Sequence, residues 1–134
     1  MKRLALAFLS MAIIDPALAV TANAQKDLSG RWSTKEGCEL DVKRTKDPNY
    51  WPKNFEDMMF LTPDGIEGYE WSCQFLDRKP NKLGQTVITA SCSAEGDSWP
   101  ELLLLEYYAP DGWRVINRVD KNINVNIFPQ ECKP

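Results

Sequence analysis

Tight-turn sequences at short intervals constrain this chain more than any other feature. Pro63-Asp64-Gly65, Ala94-Glu95-Gly96-Asp97-Ser98 and Ala109-Pro110-Asp111-Gly112 separate short runs in which apolar and polar residues alternate, the pattern of half-buried strands. Leu28-Ser29-Gly30-Arg31-Trp32 delivers a tryptophan into a first strand. Cys38, Leu40 and Val42 alternate with Glu39, Asp41 and Lys43, and predict a second. Ile66 to Phe75 predicts a longer one, with Tyr69, Trp71, Cys73 and Phe75 on one face and Glu70, Ser72 and Gln74 on the other. Gln85 to Cys92 is rich in β-branched residues, Glu101 to Tyr108 and Trp113 to Val119 flank a hairpin turn, and Asn122 to Ile127 alternates throughout. Two prolines mark Asp47-Pro48-Asn49-Tyr50-Trp51-Pro52 as a loop. Phe55 to Leu61 fits a helical turn or a strand equally. The reading is all-β: a small antiparallel barrel or sandwich of seven to eight short strands.

The first residues stand apart. Lys2 and Arg3 precede an apolar run from Leu4 to Ile14, and two small-residue sites follow, Ala17-Leu18-Ala19 and Ala22-Asn23-Ala24. That is the layout of a secretory signal peptide, too short for a ~20-residue membrane span. Cleavage after Ala24 leaves the polar start Gln25-Lys26-Asp27; cleavage after Ala19 is the alternative. The expectation is a signal peptide over 1–24 and a single β domain over 25–134, exported to the periplasm or secreted. No cysteine follows either site and no later run approaches a span, so neither a lipid anchor nor a membrane span is expected in the mature protein, which is expected to be a monomer.

Export places the four cysteines, Cys38, Cys73, Cys92 and Cys132, in an oxidising compartment, where they are expected to pair and staple the fold. If Asn81-Lys82-Leu83-Gly84 is a four-residue loop, Cys73 falls opposite Cys92 and Phe75 opposite Ala90, within reach of a bridge. Cys38 is then left with Cys132. A different hairpin register would favour Cys38–Cys73 with Cys92–Cys132. No Cys-x-x-Cys redox motif is present.

Two segments carry a resemblance. Thr62-Pro63-Asp64-Gly65-Ile66-Glu67-Gly68-Tyr69-Glu70-Trp71-Ser72-Cys73 is followed by Thr89-Ala90-Ser91-Cys92-Ser93-Ala94-Glu95-Gly96. Together they resemble a family of small, uncharacterised exported proteins of Gram-negative alphaproteobacteria, whose text has a Gly-Tyr-Glu-x-x-Cys segment and then a Cys-x-x-Glu-Gly segment. The resemblance implies a periplasmic, disulfide-bonded β domain and no particular activity. A looser likeness, in size, signal and disulfide-tied barrel character, is to periplasmic lysozyme inhibitors. The Gly30-x-Trp32 start is similar to that of lipocalins.

Composition limits the chemistry. The whole chain carries a net charge of −3, and taking away Lys2, Arg3 and Asp15 leaves −4. The short basic clusters Lys43-Arg44-Thr45-Lys46 and Arg78 to Lys82 are expected in turns, so nucleic acid is not an expected partner. The chain has no histidine, which excludes His-based acid–base catalysis, His-dependent nucleophiles and His-containing metal sites. Asp64, Glu67 and Glu70, or Glu95, Asp97 and Glu101, could be imagined as a glycosidase's carboxylates, or the second group as Ca²⁺ ligands, but no EF-hand spacing is present. No catalytic residue, metal or cofactor is expected. Tyr50 and Trp51 are the candidate binding residues, a stiffened aromatic pair suited to a sugar or a protein partner; the competing reading folds them over an open barrel end as a plug. The functional expectation is a non-enzymatic envelope binding or interaction module, such as an inhibitor of an envelope-directed hydrolase, with an envelope protein or glycan as partner. The alternatives are a carboxylate-based hydrolase of cell-wall glycans and a structural or stress-protective envelope protein.

Overall fold

The computed structural model describes residues 26–119 and 121–134; the expected signal segment, 1–24, lies outside them. Nine strands form one antiparallel sheet: β1 Trp32–Ser33, β2 Phe60–Thr62, β3 Gly65–Glu67, β4 Trp71–Pro80, β5 Thr86–Ala94, β6 Asp97–Tyr108, β7 Gly112–Val119, β8 Asn122–Phe128 and β9 Gln130–Glu131. The spatial order is β8-β7-β6-β5-β4-β3-β2-β1-β9. Seven successive strands are joined as hairpins from β2 to β8. Only Pro129 separates β8 from β9, which crosses to pair with β1 and brings the sheet close to a closed barrel. The all-β, disulfide-tied barrel is the expected fold; two of its nine strands have only two residues each, too short to announce themselves by alternation.

The core follows from the pleat. Side chains alternate between faces along a strand, and one face gathers Ile88, Ala90 and Cys92 of β5, Leu103 and Leu105 of β6, Trp113 and Val115 of β7, and Phe128 of β8, with Trp32, Leu61, Ile66 and Cys73. Register puts Tyr107, Trp113 and Phe128 in one row across three strands. Trp113 meets Trp32 and Tyr107 edge-on at centroid distances of 6.4 and 5.3 Å.

Two bridges staple this core, Cys73–Cys92 and Cys38–Cys132. Cys73 pairs with Cys92 and Phe75 with Ala90, as the expected register requires, but the loop differs. Pro80 pairs with Thr86, so the connection is one residue longer, and a β-bulge between Phe75 and Asp77 restores the register. Asn81 organises the loop: its Oδ1 accepts from the backbone N–H groups of Leu83 and Gln85, both at 2.9 Å.

The expected strand through Cys38, Leu40 and Val42 is instead an α-helix, α1, Lys35–Lys46. Its ends explain why. Thr34 caps the N-terminus, accepting from the Gly37 N–H at 3.2 Å; Glu36 lies in the first turn and Lys43, Arg44 and Lys46 in the last, each sign matched to the helix dipole. Val42 is 44% exposed, so the apparent alternation never described a buried face. The basic cluster expected in a turn is this last helical turn. Because Trp32 and Leu61 point to the core, Ser33 and Phe60 point outward, and Gly37 lies against both. α1 thus covers the outer face of β1 and β2, burying Cys38 and Leu40 beside Met58 and Phe60. Arg31 fastens this layer: Nε and Nη1 donate to Asp41 at 2.6 Å and Glu67 at 2.7 Å, and its guanidinium stacks on Phe60 at 3.8 Å. Burial pulls the Arg31 pKa down, but the hydrogen bonds and charges of the two carboxylates reverse this and raise it. Thr34→Ala removes the cap and is expected to cost about 1 kcal/mol in a denaturant melt; an unchanged midpoint would show that packing alone holds the helix.

The expected strand from Ile66 to Phe75 is also broken. Gly68, Tyr69 and Glu70 turn between β3 and β4, with the Gly68 N–H donating to the Trp71 carbonyl at 2.9 Å and Glu70 at φ 59°. Gly68 lies so close to the Trp71 indole that a Cβ would overlap it. Tyr69 therefore leaves the face shared by Trp71, Cys73 and Phe75. The turn expected from Arg78 starts later, since β4 runs through Pro80.

Candidate binding site

The loop after α1 is built by hydrogen bonds around Asp47. Its N–H donates to the Lys43 carbonyl at 2.9 Å, its Oδ1 accepts from the Asn49 N–H at 3.0 Å, and its carbonyl accepts from the Tyr50 N–H at 3.0 Å. Pro48 and Pro52 fix two more φ angles. A short 3₁₀ helix, Phe55–Asp57, follows, its first N–H donating to the Pro52 carbonyl at 3.3 Å. This brings Phe55 back beneath Trp51.

Trp51 is 48% exposed and lies outside the core cluster. It is the outermost ring of a three-ring group. Its centroid is 4.8 Å from Phe55 and 6.1 Å from Tyr69, and Phe55 and Tyr69 meet edge-on at 4.5 Å. The Arg44 guanidinium stands over Trp51 at 4.1 Å. Tyr50 points elsewhere: its hydroxyl is 3.5 Å from Lys43 Nζ, and it lines a cleft of about 150 Å³ with Glu36, Glu39, Leu40, Lys43 and Met58. The loop does not plug the core, and its two aromatic residues, adjacent in sequence, serve different surfaces.

Three members of the platform are not among the binding residues expected from the sequence: Phe55, Tyr69 and Arg44. Tyr69 was expected on a strand face, and only Gly68 before it hints at the turn. Arg44 was expected in a basic turn; the capping signals of α1 would have placed it one helical turn from the loop. Hydrogen bonding to Glu70, and then that carboxylate's charge, raise the Tyr69 pKa.

The carboxylates expected as alternatives fall into two open clefts that regroup them. Asp64 and Glu67 border one, and Glu70, Glu95 and Asp97 border the other, where the β3–β4 and β5–β6 turns meet, with Glu101 outside both. Asp64 lies in the β2–β3 turn, Glu67 is engaged by Arg31, and Glu70 and Glu95 occupy turns at φ 59° and 50°. Asp97 and Glu101 are four residues apart on β6, with Cα atoms about 13 Å apart. Among the described residues no group of three or more His, Cys, Asp or Glu is placed to hold a metal ion, and no helix is long and apolar enough to cross a membrane. The chain matches no protein-family model, no curated protein and no solved structure.

Proposed function

We propose that this is an exported, non-enzymatic binding module of the cell envelope whose ligand stacks on Trp51. The observation that carries this is the platform itself: a half-exposed indole backed by Phe55 and Tyr69 and crossed by Arg44. Rings held by other rings lose little freedom on binding, and a flat apolar face beside a guanidinium suits the face of a sugar ring and its hydroxyls. The two disulfides accord with an oxidising compartment outside the cytoplasm. Inhibition of an envelope hydrolase is the related reading in which the same platform meets a protein.

Titrating the oxidised protein with soluble peptidoglycan fragments and neutral oligosaccharides, followed by tryptophan fluorescence and by NMR of the indole N–H signals, tests the reading. Trp51 is expected to shift selectively. Trp51→Ala is expected to abolish the response while costing only about 1 kcal/mol of stability, since it forfeits exposed ring and cation contacts rather than core. If no glycan shifts Trp51, no lysozyme in a panel is inhibited, and Trp51→Ala recovers the same periplasmic partners as the wild type, the platform is not a binding site. A cost near 3 kcal/mol or more would instead make Trp51 a structural residue.

A further inference from the structure

The outer face of the barrel is covered on one side only. α1 lies over β1 and β2, whereas β5 to β8 present a row of aliphatic side chains running Val87, Leu104, Ile116, Val125, taken from the registers of three successive strand pairs. On the same face Ile123 and Ile127 of β8 lie beside Arg118 and Arg114 of β7, and Leu102 shares the outward side of β6 with Leu104. Leu102 and Ile123 are 62% and 70% exposed, and Val125 and Ile127 about half. The alternation of β8 therefore has the opposite sense from a core strand: its isoleucines and valine face outward, and its asparagines lie on the core side.

β8 is also a sheet edge, with β7 on one side and no ladder on the other among the described residues. Edge strands are ordinarily blunted by charge, proline, a bulge or shortness. The other edge obeys this: β9 has two residues, follows Pro129 and contains Glu131. β8 obeys none of it, with seven residues, Asn122–Phe128, and no charge, proline or glycine.

We infer that β8 pairs antiparallel with β8 of a second copy of this chain, about a two-fold axis through Val125. The strand is a palindrome around that residue, Ile123-Asn124-Val125-Asn126-Ile127. A two-fold contact matches a surface with itself, and here it sets Val125 against Val125, Ile123 against Ile127 and Asn124 against Asn126. Outward-facing pairs are then all aliphatic, and on the core side Asn124 meets Asn126, amides that can both donate and accept, while Asn122 meets Phe128 at each end. Charge fits the same arrangement. β8 itself carries no charge, and Lys121 directly precedes it, so antiparallel pairing sets the Lys121 residues of the two copies at opposite ends of the seam. No like charges meet at the seam. A seam of seven residues is small against the ~1,200 Å² at the lower end of specific interfaces, so the dimer is expected to dissociate in the micromolar range. It uses no residue of the aromatic platform, and it departs from the monomer expected from the sequence.

Sedimentation velocity on the oxidised wild-type protein, from low micromolar to near-millimolar concentration, is expected to show a reversible monomer–dimer shift. Val125→Lys, which places two cations face to face on the axis at an exposed position, is expected to abolish the shift with the melting temperature unchanged. Two cysteine variants fix the register independently of that outcome. Val125→Cys is expected to give a reducible cross-linked dimer, and Ile123→Cys, which would face Ile127 of the other copy, is expected to give none. A wild-type protein that stays monomeric throughout overturns the proposal, as does a dimer that survives Val125→Lys with Ile123→Cys cross-linking as well as Val125→Cys. Monomeric protein that co-sediments with phospholipid vesicles would assign the apolar face to a lipid surface and likewise overturn it.

Discussion

Removing the Cys38–Cys132 bridge, by replacing both cysteines with alanine, is expected to lower stability by about 4–5 kcal/mol. The bridge spans a sequence separation of 94, and on the chain-entropy account a loop of ~100 residues is worth about 4.7 kcal/mol. A small domain has only about 5–15 kcal/mol in all, so the variant should be near its unfolding threshold at 37 °C. Cys73–Cys92 closes a separation of 19 between strands that already pair, and the same account gives about 3 kcal/mol. Urea melts of the two double variants under oxidising conditions compare them directly. If the 19-residue bridge proves the costlier, entropy of the unfolded chain is not what these bridges act on.

The second large effect is expected at Trp113. Its side chain is 1% exposed and sits in the row where Tyr107, Trp113 and Phe128 cross the barrel. Trp113→Ala would lose the transfer energy of a whole indole, leave a cavity and break the edge-on contacts to Trp32 and Tyr107, for about 3–5 kcal/mol. Trp113→Phe keeps a ring in the row and is expected to cost clearly less. Equal destabilisation by the two changes would mean that the indole's shape, not its area, is what the core requires. Set beside the ~1 kcal/mol expected at Trp51, the pair separates a tryptophan that builds the fold from one that presents a surface.

How far the sequence reveals this fold depends on which forces act locally. The hairpins after Pro63, Glu95 and Pro110 are legible because turn chemistry is a property of a few adjacent residues: Gly96 and Gly112 adopt φ 89° in their turns, a conformation other residues resist. The Cys73–Cys92 pairing is legible through register, although the longer loop and the bulge at Leu76 offset each other, and neither leaves a mark in the pattern. α1 is hidden because Cys38, Leu40 and Val42 satisfy a two-residue period by coincidence, while the helix buries only part of that set and depends on Thr34 and on charges at its ends. Hydrophobic period misleads where a short helix docks through a glycine. The candidate site is half legible. The stiff loop and Trp51 can be seen, but Phe55, Tyr69 and Arg44 come from three other places in the chain, and only the fold of Gly68 against Trp71 turns Tyr69 towards them. β8 is the plainest strand in the sequence, yet its alternation does not say which face is wet; only the register to Trp113 and Val115 decides that.

The placement of β9 against β1 has a consequence for how the molecule is made. Everything from β2 to β8 is a meander of neighbours, whose contacts close over short stretches of chain and can form in succession as the chain emerges. β1 and α1 precede that meander, yet the second sheet neighbour of β1 and the partner of Cys38 follow it. Until then the face of β1 that will receive β9 has nothing to pair with, and the barrel stays open along one side. Closure is thus a late, long-range event on an otherwise local assembly.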